Sequence, residues 1–421
     1  MKNSNININF EKLDFSEDTW SFPARSRALS WAKEKGLPAG RDEYWKYTKP
    51  DKFVTLQPKK WEQLFPELDL FEKIDAIKIV FIDGVFSKEL SENLDYPEIS
   101  IDLLSNVNSE TKHWASEIYG KLENDSQVHA PKTLGSLNTA FAEEGVLINV
   151  NGICNNVIHL FYLKSSTNSD VMLHHVVKVN KGANLTLLES GTSGARSNIV
   201  LETKVCSAAK LNHVRILGLN EDCCDIMQMF AKLEKESQLN SFSLNLGGSL
   251  IRNETVVEIS GKDSAAKLSG ACVGWGCLHN NDTVLVEHKA PNCNSRQIFK
   301  KVLRDHSQGV FQGKILVHDN AQKTDGYQLS QALLLSEKSQ FFAKPELEIY
   351  ADDVVCSHGS TSGAIDEEML FYLRSRGINK QDSLNILSQA FLAEAIGEIE
   401  DEKIVDLISL VVKNWMDRNF V

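Results

Sequence analysis

Cys356 and His358 stand two residues apart in the run Val355-Cys-Ser-His-Gly359, so an extended backbone would point both side chains to one face. A thiolate and a neutral imidazole are both competent ligands for iron and other soft or borderline metals, which makes the pair a candidate metal or thiol site. By itself a Cys-x-His pair is a weak signal. The same two residues also read as a small buried apolar side chain followed by an ordinary turn histidine.

The elements around the pair are well signalled. Leu347, Ile349 and Ala351 alternate with Glu346, Glu348 and Tyr350, the period-two pattern of a half-buried strand leading into the pair. Gly359 and Gly363 then loosen the backbone. Asp366 can cap a helix whose first turn carries Glu367 and Glu368, whose last turn carries Arg374 and Arg376, and which Gly377 can close.

Other residues with chemical capacity read as structural. Gly191-Thr-Ser-Gly-Ala-Arg-Ser197 lacks the lysine and spacing of a phosphate loop and is expected to be a turn, so no ATP site of that type is expected. Neither a G-x-S-x-G elbow nor an H-E-x-x-H zinc motif occurs. Cys272 and Cys277, and the adjacent Cys223 and Cys224, have no further ligands at motif distance and are expected to be buried thiols. His174 and His175 must point to opposite faces of a strand, so one is expected inside. Glu287-His288, before Ala290-Pro291, could be a site, but polar contacts at a strand end explain it as well. Trp45 and Tyr47, in Arg41-Asp-Glu-Tyr-Trp-Lys-Tyr-Thr48, are expected to anchor a small helical domain.

The chain has 421 residues, a formal charge of −12 and a pI near 5.5, which argues against nucleic acid or an anionic membrane as the main partner. Lys59-Lys60 and Lys300-Lys301 are isolated basic pairs. Eight irregularly spaced cysteines suit reduced intracellular thiols rather than a disulfide framework. The first residues, Met1 to Glu11, lack the apolar core of a signal peptide, and no apolar run reaches membrane-spanning length, so a cytosolic protein is expected.

Three regions follow. Residues 1–144 mix helices with a strand over Ile77–Ile82 and a turn at Asp83-Gly84; a helix is expected from Ala24 to Lys35. Residues 145–363 carry short β-branched or alternating runs: Val146–Val150, Val157–Leu163, Val171–Val179, Leu185–Leu188, Val256–Ile259, Val284–Val286 and Ile315–Val317. Leu185, Leu211, Leu239 and Leu268, each two residues after Ala or Ser, suggest stacked repeats and a rod of strands. Residues 364–421 are helical, with Leu384, Leu387, Ala390, Phe391 and Ala395 on one expected face, and Ile404, Leu407, Ile408, Val411 and Trp415 on another. Such helices either cap the rod's end or dock a partner. A cytosolic scaffold fits this pattern. A β-helix enzyme acting on polysaccharide is the alternative, although no carboxylate cluster along the repeat supports it.

Three stretches carry a family resemblance: Arg41–Thr48, Ala321-Gln-Lys-Thr-Asp-Gly326, and Leu347-Glu-Ile-Tyr-Ala-Asp-Asp-Val354 followed by Cys356-Ser-His-Gly359. In these the chain resembles the SufD family of the SUF iron–sulfur cluster assembly machinery. The sister SufB proteins have acidic residues in place of Cys356 and His358, and a catalytic cysteine near the position of Leu329. The resemblance implies a mainly β fold: a right-handed parallel β-helix core with an N-terminal mixed, mainly helical domain and a C-terminal helical domain. It implies a non-catalytic subunit that pairs with SufB, binds the SufC ATPase through its C-terminal helices, and passes clusters to acceptor proteins. His358 and Cys356 would then be ligands of a transient iron–sulfur cluster at the SufB contact. A homodimer in isolation is open, and reduced flavin is associated with the whole complex, with no residue here assigned to it.

Overall fold

The computed structural model describes residues 15–55, 68–217 and 223–419. The first eleven residues and Lys59-Lys60 lie outside them. The chain opens with α1 (Phe22–Lys35) and α2 (Asp51–Val54), then the hairpin β1 (Ala76–Ile82) and β2 (Val85–Phe86), then β3 (Ile99–Leu103). Asp83 and Gly84 form the hairpin turn with φ of 47° and 82°, the left-handed region that tight hairpins require. Three short helices follow: α3 (Leu104–Val107), α4 (Lys121–Ser126) and α5 (Thr133–Phe141).

A long run of strands comes next: β4 (Val146–Val150), β5 (Ile153–Leu163), β6 (Asp170–Val179), β7 (Asn184–Gly191), β8 (Arg196–Val205), β9 (Lys210–Leu217), β10 (Cys224–Leu233) and β11 (Gln238–Asn245). It continues through β12 (Leu250–Ile259), β13 (Ala265–Gly274), β14 (His279–His288), β15 (Asn294–Leu303), β16 (Gln308–Val317), β17 (Asp325–Leu334), β18 (Gln340–Ile349) and β19 (Val355–Gly363). Helices α6 (Glu367–Ser375), α7 (Lys380–Ile396) and α8 (Glu402–Asn419) complete the chain.

Successive strands alternate between two sheets. Odd-numbered strands from β5 to β19 join β1 and β2 in a ten-stranded sheet; even-numbered strands from β4 to β18 join β3 in a nine-stranded one. From β4 and β5 onward neighbours are parallel, so the chain winds as a solenoid with two strands per coil. The solenoid begins before residue 145, because β1 pairs in parallel with β5, and β3 pairs antiparallel with β4.

The repeat seen in the sequence is the lumen seam. Leu185 stands beside Leu211, and Leu211 beside Leu239, but Leu239 aligns with Ala266 rather than Leu268. The fourth coil is thus out of step by two residues, which keeps Leu268 on the inner face because side chains alternate with period two. All five are buried in the main core cluster.

One corner of the solenoid is held by a ladder of turns. Ala208, Glu236, Asp263, Asn292 and Lys323 adopt positive φ, as does Gly182. Each such turn amide donates to the carbonyl of the next coil's turn: Gly182 to Ser207 at 3.0 Å, Ala208 to Lys235 at 2.8 Å, Glu236 to Lys262 at 2.9 Å and Asn292 to Gln322 at 3.0 Å. A left-handed non-glycine residue costs about 1–2 kcal/mol, which the ladder hydrogen bonds offset in part.

Helices cover both outer faces. Leu134 and Leu137 of α5, with Trp45, Phe53 and Val54, pack on Ile226 and Leu250 of the nine-stranded sheet. Leu392 and Ile396 of α7, and Ile404, Ile408, Val412 and Met416 of α8, pack on Val214, Ile216, Phe242, Leu244 and Val273 of the ten-stranded sheet. Helices α7 and α8 therefore lie along the solenoid instead of capping its end. In α7 the buried side chains include Ser383, Asn385, Ser388, Leu392 and Ile396, while Leu384 and Leu387 are half-buried and Ala390 is exposed. Among the described residues, no helix is long and apolar enough to cross a membrane.

Candidate functional site

The last coil, β18 and β19, is where the two sheets end: β18 closes one and β19 the other, each paired on one side only. Every residue of β18 is half-buried or exposed, in contrast to the buried strands beneath it. Tyr350 is 62% exposed and Val355 72%, so apolar surface lies open at this edge.

Cys356 and His358 both lie on β19. Cys356 is in register with Gly326 of β17, and His358 with Gln328. Following the register inward, Gly326 continues to Ser295 and Ala266, and Gln328 to Gln297 and Leu268. Ala266 and Leu268 belong to the inner core, so both site side chains are on the lumen side of the edge strand, at the open mouth of the solenoid. Cys356 is half-buried against Ile315, Val317, Ala321 and Ala351, and His358 is exposed. Burial pushes the Cys356 thiol above its ordinary value; the Gly326 backbone amide opposes this and the Asp325 carboxylate adds to it. Asp366 caps the following helix, its side chain accepting from the amides of Glu368 at 2.9 Å and Met369 at 3.1 Å.

Separate parts of the sequence converge on this end. Across Arg41–Thr48, Glu43 pairs with Lys344 at 2.7 Å, the Tyr44 hydroxyl donates to Glu346 at 3.3 Å, and Tyr47 stacks on Phe342 with centroids 5.4 Å apart. This segment braces the outer face of edge strand β18. Trp45 is buried beneath it, with the guanidinium carbon of Arg252 4.0 Å from its ring centroid. Ala321–Gly326 forms the turn into β17, directly under Cys356.

The remaining sequence candidates are placed elsewhere. His175 points into the lumen, accepting from the Val146 amide at 3.1 Å and lying 3.2 Å from the Tyr162 hydroxyl. His174 points outward yet is equally buried, 3.0 Å from Glu202 under the N-terminal helices. Both are inside because a helical layer covers the outer face. Cys272 and Cys223 are buried as expected, and burial pushes the Cys272 thiol up to about 12. Cys224 is only half-buried, and Cys277 is exposed, because it falls in the turn before β14. Glu287 sits 2.7 Å from His318 and 3.2 Å from His129; although burial opposes it, these contacts hold its carboxyl at about 2. His288 contacts Ser295 at 2.9 Å. The segment Gly191–Ser197 spans the connection from β7 to β8.

Sequence reasoning missed the partners of the pair. Gly326 and Gln328 give no local signal, because only the register shows that they lie beneath Cys356 and His358. Likewise unseen was a lumen cluster in which Glu189 accepts from His213 at 2.7 Å and from Arg215 at 2.8 Å. Among the described residues no group of three His, Cys, Asp or Glu side chains converges as a metal-ligand set.

Comparison with known proteins agrees with this architecture. A family model described as "SUF system FeS cluster assembly, SufBD core domain" matches residues 161–391, more than half of the chain. The chain is 28% identical to "Iron-sulfur cluster assembly protein SufD" of Escherichia coli, covering 95% of this chain and 94% of that protein. It is 28% identical to an iron–sulfur cluster assembly SufBD family protein of Synechocystis, covering 91% and 88%. It is also 27% identical to "Protein ABCI7, chloroplastic" of Arabidopsis thaliana, covering 88% and 80%. With the family's core domain laid over the solenoid and relatives aligned along nearly its whole length, this chain belongs to the SufBD family of iron–sulfur cluster assembly proteins.

Proposed function

We propose that this chain is a non-catalytic, cytosolic scaffold subunit of a SUF assembly complex. In this reading it pairs with a SufB-type partner through the open edge formed by β18 and β19, and a nascent iron–sulfur cluster is built at that contact before passing to acceptor proteins. The observation that carries it is the position of Cys356 and His358, both on the lumen face of an edge strand paired on one side only. An unpaired edge is a template for another chain, and natural proteins generally cover such edges.

Ligand count argues for a shared site. Iron–sulfur clusters are held by about four protein ligands, of which Cys356 and His358 would supply a thiol and an imidazole. The cluster is cargo here, and the missing ligands would come from the partner's facing edge.

The C-terminal helices suit a second contact. Met369, Phe371 and Tyr372 of α6 are 54%, 74% and 53% exposed, and only Leu370 of that helix is buried. A helix that shows three large apolar side chains to water fits the docking of the SufC ATPase. Co-expression with SufB and SufC, followed by size exclusion, tests the reading. A stable complex of all three, lost on combining Tyr350→Asp with Val355→Lys, is expected; a chain that elutes without either partner overturns it.

A further inference from the structure

On the lumen face of the ten-stranded sheet, Gln297, Gln328 and His358 occupy successive rungs in register. Parallel rungs are about 4.8 Å apart, close enough for side chains on adjacent rungs to reach one another. Gln328 is fully buried, and a buried primary amide is costly unless its polar atoms are paired. Its Nε2 donates to the Oε1 of Gln297, one rung inward, at 2.9 Å. Its Oε1 is buried with no hydrogen-bond partner.

The backbone opposite gives way to this amide. Gly313 of β16 faces it across the lumen, and a β-carbon on residue 313 would lie 2.2 Å from Gln328 Nε2. Glycine inside a strand costs stability and marks a close approach, so the space is bought for the glutamine. With its donor end turned toward Gln297, the amide leaves its acceptor end for the rung above. That rung is His358, whose ring is exposed.

We propose that Gln328 is a positioning residue for His358: its Oε1 accepts the N–H of one imidazole nitrogen, fixing the tautomer and turning the other nitrogen toward the site of the nascent cluster. Ligating histidines commonly donate their second N–H to such a partner, which orients the ring. The amide is neutral, so the ring is oriented without a second charge in the solenoid. This inference rests on the reading of His358 as a cluster ligand.

The test separates the two ideas. The full chain is labelled with 15N-histidine, and the His358 signal among its 11 histidines is assigned by its loss in His358→Ala. At a pH where the ring is neutral, the wild type should show one tautomer. Gln328→Met, which keeps length and removes the acceptor, should give a mixture and lower cluster yield several-fold in the complete complex. Gln328→Glu, which restores an acceptor, should recover both. Gly313→Ala, which displaces the glutamine, should behave like Gln328→Met and serves if that variant folds poorly. A mixture already present in the wild type, an unchanged tautomer in Gln328→Met, or wild-type cluster yield in that variant overturns the inference. Wild-type yield in His358→Ala overturns the cluster-ligand reading itself, and is distinguished by leaving the tautomer result intact.

Discussion

The sulfur of Cys356 lies in the space that a side chain on Gly326 would fill: a β-carbon on residue 326 would fall 3.2 Å from Sγ. The thiol is therefore seated by a glycine one coil below it, and its half-burial is what raises its pKa. Gly326→Ala should push the sulfur outward by a few tenths of an ångström. Alkylation of Cys356 at pH 8, followed by mass spectrometry of its peptide, should speed up several-fold while stability changes by about 1 kcal/mol or less. An unchanged rate would mean that residue 326 does not seat the thiol.

The N-terminal helices are pinned by buried acids. Glu202 accepts from the amides of Gly120 and Glu123, with the Glu123 contact at 2.8 Å, and His174 lies 3.0 Å away. Burial raises Glu202 to about 8 and Glu123 to about 7 from an ordinary 4.5, outweighing those hydrogen bonds; the nearby His174 is driven well below its ordinary value by burial. The two buried carboxyls thus hold protons in the folded chain that the unfolded chain releases, whereas His174 stays neutral where the unfolded chain would protonate it. As far as the two carboxyls are concerned, stability should be full below about pH 4.5 and fall as pH rises through 7 and 8; the depressed His174 works the other way, costing stability as pH drops below its ordinary 6.5. Glu202→Gln keeps the acceptor and removes the ionisation, so its melting temperature should lose less than the wild type's between pH 5 and pH 8.5. Parallel curves for the two proteins would refute the assignment.

Helix α6 offers a surface whose loss should cost binding and nothing else. Phe371, at 74% exposure, contributes little to the fold. Phe371→Asp should leave the melting temperature within the range of ordinary surface changes, about 0.5 kcal/mol, and lower SufC retention at least tenfold in a pull-down. Unchanged retention would move the ATPase contact elsewhere.

The solenoid was legible where strands are rich in β-branched residues. Val146–Val150 coincides with β4, and Val171–Val179 misses only the first residue of β6. Strands such as β13, Ala265–Gly274, and β17, Asp325–Leu334, went unseen, because small and polar residues there are held extended by ladders on both sides rather than by their own preference. In α7 the expected face was only partly right: Phe391 packs on the sheet and Ala395 is buried, but Leu384 and Leu387 stay half-buried while Ser383 and Ser388 are covered. Periodicity shows that a helix has a face, and packing decides which one. The site pair itself was visible as a Cys-x-His run, but Gly326, Gln328 and Gly313 were not. Their roles exist only once the register sets residues from different coils side by side.

His358 should serve cluster assembly more than folding. The direct measurement is iron and acid-labile sulfide content of the purified complete complex carrying His358→Ala, alongside the melting temperature of the variant chain. Because the ring is exposed, stability should change by no more than about 1 kcal/mol. Cluster content should fall sharply, and Cys356→Ser should match that fall if the thiol is a co-ligand or fall less if it is auxiliary. A His358→Ala complex that folds normally and carries the wild-type amount of cluster would show that His358 is not a cluster ligand.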